Sequence, residues 1–106
     1  MRIEIICKPV EITSTIRARI ESRFTKLEKR DIEILSPRVV IRQEGTEYVV
    51  EANFNGTQGN MKACGQDEDI YAAINEMGHK LERITRRANQ KLAQRRHDTT
   101  LVSAPV

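Results

Sequence analysis

One stretch near the carboxyl end constrains the fold most, because its pattern fits a single kind of structure. Between Asp67 and Arg96, apolar residues recur in steps of three or four, at Ile70, Ile74, Met77, Leu81, Ile84, Ala88 and Leu92. At 100° per residue these positions fall within an arc of roughly 80°, which predicts a helix with one buried stripe. At about 1.5 Å per residue, Asp69 to Arg95 would be roughly 40 Å long. A six-residue strand spans only about 20 Å, so we expect this helix to overhang its sheet.

The same helix concentrates positive charge. From Gly78 to His97 the sequence has seven Lys or Arg residues and a single acid, Glu82, a net charge of +6 in a chain whose total is +3. Five of these bases fall to one side of the apolar stripe: Lys80, Arg83, Arg86, Arg87 and Lys91. A long basic helix that projects from a small domain is suited to reach a phosphate-rich partner.

An earlier segment repeats this arrangement. Thr13 or Ser14 can cap a helix that runs to about Arg30 and buries Ile16, Ile20, Phe24 and Leu27. Its basic flank consists of Arg19, Arg23, Lys26, Lys29 and Arg30. Outside residues 14–30 and 78–97 the chain has five bases and twelve acids, a net charge of −7. Charged helix faces are often merely solvated, but two basic flanks on an otherwise acidic body favour binding to a polyanion.

Four strand patterns complete the secondary structure. The first covers residues 2–8, with Ile3, Ile5 and Cys7 on one face, and Pro9 ends it. A loop over residues 31–37 leads to strands at 38–43, 48–54 and 60–65, which short turns connect into an antiparallel meander. The helix between the first two strands implies that they are parallel neighbours. We therefore predict an α+β fold of order β-α-β-β-β-α, a two-layer sandwich of a four-stranded sheet with both helices on one face.

The total of 106 residues predicts one domain, over residues 1–97, followed by a disordered tail over 98–106. The chain can bury a modest core but not a deep cleft between lobes. It has neither a signal-peptide pattern nor an apolar run of about 18 residues, so we expect a cytoplasmic protein with no membrane partner. Cys7 and Cys64 are isolated in strand patterns and are interpreted as unreactive structural thiols.

No arrangement of residues in the sequence is typical of an enzyme. The chain has no Gly-rich phosphate loop, no nucleophile elbow and no zinc motif, so we expect no catalysis, no metal, no cofactor and no small-molecule substrate. Asp67, Glu68 and Asp69 precede the long helix, where capping explains them better than metal binding does. His79 and His97 lack a patterned partner and are interpreted as solvated side chains.

The aromatic content narrows the kind of nucleic acid. Single-strand binders stack bases on aromatic side chains, and the predicted outer sheet face offers almost none. Arg and Lys residues on two helices fit a protein that reads RNA by its shape and its phosphates. Such binding depends strongly on salt and little on sequence.

Two segments carry a resemblance to a known family: VEITSTIRARIESRFTKLEKR over Val10–Arg30, and EDIYAAINEMGHKLER over Glu68–Arg83. Together with the basic run that follows, the chain resembles the bacterial ribosome hibernation factors, the family of protein Y and the short hibernation-promoting factor. The similarity covers about residues 1–96. The resemblance implies a domain like the double-stranded-RNA-binding fold. It also implies binding of a monomer to the 30S subunit and the 70S ribosome, on 16S rRNA at the decoding region.

On that resemblance, the protein would block the mRNA and tRNA sites of idle ribosomes in stationary phase or stress. The basic flanks described above would then face rRNA; Lys80 and Arg83 match the motif itself, while the residues after Arg83 match only in being basic. The tail DTTLVSAPV has one acid, unlike the acidic tail of members similar to protein Y, and we expect no second domain of the long form. Promotion and prevention of ribosome pairing both stay open. Two other interpretations are a protein-interaction module of the sigma-factor modulation type and a general structured-RNA-binding protein.

Overall fold

The computed structural model describes residues 2–8, 11–57 and 59–103, with side chains up to residue 88. Its elements follow the predicted order. They are β1 (Glu4–Cys7), α1 (Ser14–Glu28), β2 (Leu35–Glu44), β3 (Glu47–Gly56), β4 (Gly59–Asp67) and α2 (Ile70–Ser103). Pro9, which was predicted to end the first strand, lies outside the described residues.

The four strands form one mixed sheet whose spatial order is the sequence order, β1-β2-β3-β4. β1 pairs in parallel with β2, and Glu4 lies opposite Arg38. The pairs β2–β3 and β3–β4 are antiparallel, with Ala52 opposite Ala63 in the second. These pairings confirm the predicted meander and the parallel first pair.

Both helices cover one face of the sheet, and the core lies between the two layers. The inward positions expected from the alternation are buried at Val39, Ile41, Val50, Ala52 and Phe54. They meet the apolar stripes of the two helices, which are Ile16, Ile20, Phe24 and Leu27 in α1 and Ala73, Ile74, Met77 and Leu81 in α2. Phe24 and Phe54 join the layers edge to face, with ring centroids 6.2 Å apart. The structure confirms the two-layer α+β fold.

The predicted start of the second strand was wrong. β2 begins at Leu35, whereas a loop was predicted as far as Pro37. Ser36 has a φ of 51°, and the pairing with β3 shifts register between Leu35 and Arg38. This bulge lets Pro37, which has no amide hydrogen to donate, lie within the strand before its pairing with β1 begins.

The helix ends have identifiable causes. Thr13 caps α1, because its hydroxyl accepts a hydrogen bond of 3.1 Å from the amide of Ile16. α1 ends at Glu28 rather than near Arg30, since Asp31 takes a φ of 59°, and the amide of Ile32 donates back to the carbonyl of Leu27.

The second helix starts at the predicted position and ends later than predicted. The carboxylate of Asp69 accepts from the amide of Tyr71 at 2.9 Å, which confirms the predicted capping. α2 continues to Ser103, so its backbone is helical over residues 98–103, where a disordered tail was predicted. The physical reason is the absence of any Gly or Pro between Gly78 and Pro105 that would end the helix. Residues 104–106 lie outside the described part of the chain.

Candidate nucleic-acid interface

The two helices pack side by side in the same direction. Residue numbers rise together across the contact: Arg19 of α1 meets Tyr71 and Asn75 of α2. One turn later Arg23 meets Asn75 and then Glu82. Because the helices are parallel, the carboxyl end of α1 lies beside the basic second half of α2, and the bases of both helices lie near the same end of the domain.

Arg23 is the least exposed of the predicted interface bases whose side chains are described. Its side chain is 10% exposed, and Nη2 donates to Oδ1 of Asn75 at 2.7 Å. Nη1 lies 4.0 Å from the carboxylate of Glu82, whose side chain is 17% exposed. The structure places this guanidinium between the helices. That Arg23 also contacts RNA stays a prediction.

Arg19 lies at the outer rim of the same contact. Its guanidinium carbon is 5.3 Å from the centre of the Tyr71 ring, and Nη1 is 3.4 Å from Oδ1 of Asn75. A cation over an aromatic face gains roughly 0.5–1 kcal/mol at an exposed site. The residue is exposed, so a face of its guanidinium stays open to solvent.

Three further bases converge beside this contact. Lys26 and Arg30 follow Arg23 by three and seven residues, so they lie on the side of α1 that faces α2. Arg86 follows Glu82 by four residues and lies on the side of α2 that faces α1. All three are exposed. Lysine and arginine side chains brought together from two helices can bind neighbouring phosphates of one RNA surface.

The other predicted bases spread outwards from this group. Lys29 and Arg83 are exposed on the solvent side of their helices, and Lys80 and Arg87 lie on the flank of α2 away from α1. Lys80 is partly neutralised by an ion pair of 3.0 Å with Glu76. The side chain of Lys91 lies outside the described residues. The predicted set therefore forms a central group, an outer flank and one member, Arg23, that is largely enclosed between the helices.

Negative charge gathers at the opposite end of the domain. The β2–β3 turn carries Glu44 and Glu47, and α2 begins after Asp67, Glu68 and Asp69. The hydroxyl of Thr46 lies 3.5 Å from the Glu68 carboxylate, which brings the turn and the helix start together. Because α1 and α2 run away from this end, the molecule is acidic at one pole and basic at the other.

The face of the sheet away from the helices offers no ring for base stacking. Phe24 and Phe54 are buried, Tyr48 packs against the core and Tyr71 lies beneath Arg19. These are all four aromatic residues of the chain. Shape and phosphate contacts, rather than base stacking, are what this domain can provide.

The described residues hold no group of three His, Cys, Asp or Glu side chains placed to bind a metal ion. A recess of about 500 Å³ at the start of β1 and β2 is lined by Arg2, Ile3, Glu4, Ser36 and Pro37. Ser36 has no histidine among these neighbours to act as its base. Burial raises the pKa of the Cys7 and Cys64 thiols, which makes them less reactive at neutral pH.

Sequence reasoning missed the residues that join the helices. Tyr71, Asn75, Gly78 and Glu82 are spaced four, three and four residues apart, which places them on one line along α2 beside its core stripe. A polar stripe with a glycine in the middle of a helix is a signal of close packing that the sequence does contain. Its partner, Arg23, had been grouped with the solvent-facing bases of α1.

These features define the class of the protein: a β-α-β-β-β-α domain in which the predicted interface bases of α1 and α2 together form one surface, the basic two-helix face. A family model described as "Sigma 54 modulation protein / S30EA ribosomal protein" matches residues 3–93, and the chain belongs to this family. It is 36% identical over 101 residues to the ribosome-associated factor Y of Haemophilus influenzae, covering 95% of this chain and 94% of that protein. It is 32% identical over 94 residues to the ribosome hibernation promoting factor of Salmonella typhimurium, covering 89% and 99% respectively.

Solved structures share the fold. A ribosomal subunit interface protein from Coxiella burnetii superposes with a TM-score of 0.77 at 22% identity, covering 85% of this chain and 99% of that one. The N-terminal domain of Protein Y from Thermus thermophilus superposes with a TM-score of 0.74 at 29% identity, covering 82% and 98%. Over the described residues, neither helix is long and apolar enough to cross a membrane.

Proposed function

We propose that this protein is a non-enzymatic ribosome hibernation factor. It binds the small subunit, alone and within the 70S ribosome, through 16S rRNA at the decoding region. There it blocks the mRNA and tRNA sites and inhibits translation in stationary phase or stress. It acts in the cytoplasm as a monomer, through the single domain of residues 1–97.

The observation that carries this proposal is the parallel packing of α1 and α2. It gathers Lys26, Arg30 and Arg86 on one side of the domain, while the acidic side chains of the β2–β3 turn and the start of α2 stay at the other end. A binding site of RNA phosphates attracts the first end and repels the second, so the charge distribution favours one orientation.

Two further observations support a binding site inside a ribosome. The molecule measures 61 × 25 × 17 Å, a narrow shape that suits a channel better than a flat surface. Relatives that this chain covers almost end to end are named ribosome-associated factor Y and ribosome hibernation promoting factor.

The experiment that tests the proposal is co-sedimentation of the purified protein with separated small subunits, large subunits and whole ribosomes, at low and moderate salt. We expect saturable binding to small subunits and whole ribosomes that persists at moderate salt. Equal binding to all particles, or binding that disappears as soon as salt is raised, would overturn it. Equal affinity for naked structured RNA would favour a general RNA-binding protein instead.

The description of the family also names sigma-54 modulation, which favours one second candidate: a protein-interaction module whose basic flank meets an acidic protein surface. The same sedimentation experiment separates the two functions. A protein-interaction module would leave both ribosomal subunits unbound.

A further inference from the structure

Arg23 and Gly78 fit one another across the contact between α1 and α2. A Cβ atom at position 78 would lie 2.5 Å from Cδ of Arg23 and 2.9 Å from its Cγ and Nε. Real Cβ atoms do not approach other heavy atoms that closely, so any larger residue at position 78 displaces the Arg23 side chain. The aliphatic stem of Arg23 occupies the space that the missing side chain leaves open.

The backbone does not explain a glycine at this position. Gly78 lies within α2 and is not among the residues with positive φ, so a residue with a side chain could adopt its conformation. Glycine inside a helix is less favourable than alanine, because it loses more conformational freedom on folding. The feature of the structure that requires a glycine here is the stem of Arg23.

The charged end of Arg23 is poorly placed to bind a ligand. Nη1 is buried and has no hydrogen-bond partner among the described residues, and its nearest carboxylate, on Glu82, is 4.0 Å away. Nη2 is already bound to Asn75. An arginine that grips a phosphate presents its fork of N–H donors to that phosphate, whereas this fork is enclosed between two helices.

We propose that Arg23 is a positioning residue: its stem, which packs over Gly78, sets the spacing of α1 and α2. That spacing determines how far Lys26 and Arg30 lie from Arg86, and so whether the three bases match the phosphates of one RNA surface. This inference rests on the proposed function and assigns different roles to the basic residues. Arg23 fixes the geometry, and its exposed neighbours contact the RNA.

Three single variants separate positioning from contact. Arg23→Met keeps an unbranched stem over Gly78 and removes the charge. Gly78→Ala keeps every charge and displaces the stem. Lys26→Met is the matched control, because it removes an exposed charge from the same flank of α1 without entering the contact between the helices.

The readout is the affinity for purified small ribosomal subunits and its dependence on salt. The slope of log K against log salt measures how many phosphates the protein neutralises. Its magnitude is about 0.9 for each phosphate that a lysine or arginine contacts. We expect Gly78→Ala to bind about tenfold more weakly and with a lower slope, because the altered spacing moves bases away from their phosphates although every charge is kept. Arg23→Met should stay within about threefold of wild type with an unchanged slope, whereas Lys26→Met should lower the slope by about one. A slope lowered by about one in Arg23→Met, with full affinity in Gly78→Ala, would overturn the inference.

A rescue experiment tests whether weak binding of Gly78→Ala comes from the clash with Arg23 or from misfolding. In an Arg23→Ala background the methyl group of residue 78 has room, so the double variant should bind more tightly than Gly78→Ala alone. If Arg23 contacts RNA, the double variant instead binds more weakly than either single variant.

The spacing of the helices can be measured without any RNA. Spin labels at Ser22→Cys and His79→Cys, both exposed, report the distance between α1 and α2 when Cys7 and Cys64 are replaced by alanine. We expect this distance to change in Gly78→Ala and to stay as in wild type in Arg23→Met; an unchanged distance in both would contradict the inference. This readout stands even if wild-type protein fails to bind ribosomes, an outcome that would overturn the proposed function alone.

Discussion

At Gly65 the backbone of α2 crosses β4 so closely that a Cβ atom would collide with the carbonyl oxygen of Ala73. That Cβ atom would also lie 2.7 Å from the amide nitrogen of Met77. Both are backbone atoms of a helix, so they cannot rotate away as a side chain can. This contact fixes the position of α2 on the sheet and thereby the position of the basic second half of the helix.

Replacing Gly65 with alanine should therefore lower the free energy of unfolding by about 3 kcal/mol, since the helix must lift from the strand. Urea denaturation measures the change. Gly45→Ala is the control: it has free space but a φ of 61°, so only backbone strain of about 1 kcal/mol is expected. Equal losses in the two variants would contradict the close crossing.

The cap of α1 predicts a smaller effect. Thr13→Ala removes the oxygen that accepts from the amide of Ile16, and the free energy of unfolding should fall by about 1 kcal/mol. Thr15→Ala changes the exposed second residue of the helix, which does not provide the cap, and should have little effect. A stability of Thr13→Ala equal to that of Thr15→Ala would mean that the cap contributes nothing.

The two thiols predict a loss of stability at alkaline pH. Burial raises the pKa of Cys7 and of Cys64 above the ordinary value of a thiol, because the thiolate is poorly solvated in the fold. The unfolded chain then loses its thiol protons first, so the stabilisation is present below the unfolded pKa and is lost as the pH rises through the folded pKa. The free energy of unfolding of wild type should fall more steeply than that of Cys7→Ala/Cys64→Ala as the pH rises above about 8.5, the ordinary pKa of a thiol. Parallel pH curves for the two proteins would contradict this assignment.

If the protein occupies the decoding region, it should compete with the ligands that bind there. Preincubation of small subunits with the protein should prevent the binding of mRNA and initiator tRNA in a filter-binding assay, and excess mRNA should slow the association of the protein. Simultaneous, undiminished binding of all three would place the protein elsewhere on the subunit.

Much of the fold could be predicted from the sequence, because the spacing of apolar residues along each element indicates its type and its buried face. The stripe through Ile74 and Leu81 predicted the long helix, and the alternation through Val50 and Phe54 predicted the inward face of β3. Ile74 and Leu81 in α2 are buried as predicted, and so are Val50 and Phe54 in β3. The start of β2 was missed because the positive φ of Ser36 depends on the pairing of the strand with its neighbours, which no local pattern reveals.

Contacts between elements were the harder part. Val49 points to the face away from the helices yet is only 2% exposed. Val49 lies opposite Arg42, whose guanidinium forms an ion pair of 2.7 Å with Glu51. The aliphatic stem of Arg42 can therefore cover Val49. In the same way, the ten predicted interface bases were identified by their charge and by the flank of the helix on which they fall. Neither property distinguishes Arg23 between the helices from Lys26 on the surface.

Paired charge reversals test whether the basic two-helix face binds the small ribosomal subunit. One variant changes Arg83, Arg86 and Arg87 to Glu; the other changes the exposed Arg2, Arg38 and Lys62, which belong to the strand layer, by the same total charge. Circular dichroism first establishes that both variants are folded.

The decisive measurement is the affinity of these two variants for purified small subunits at about 0.15 M salt. The affinity of the helix variant should fall at least about 100-fold, because three phosphate contacts become repulsive. The strand variant should lose less than about tenfold, since only long-range attraction is reduced. Equal losses in the two variants, or wild-type affinity in the helix variant, would contradict the proposed surface.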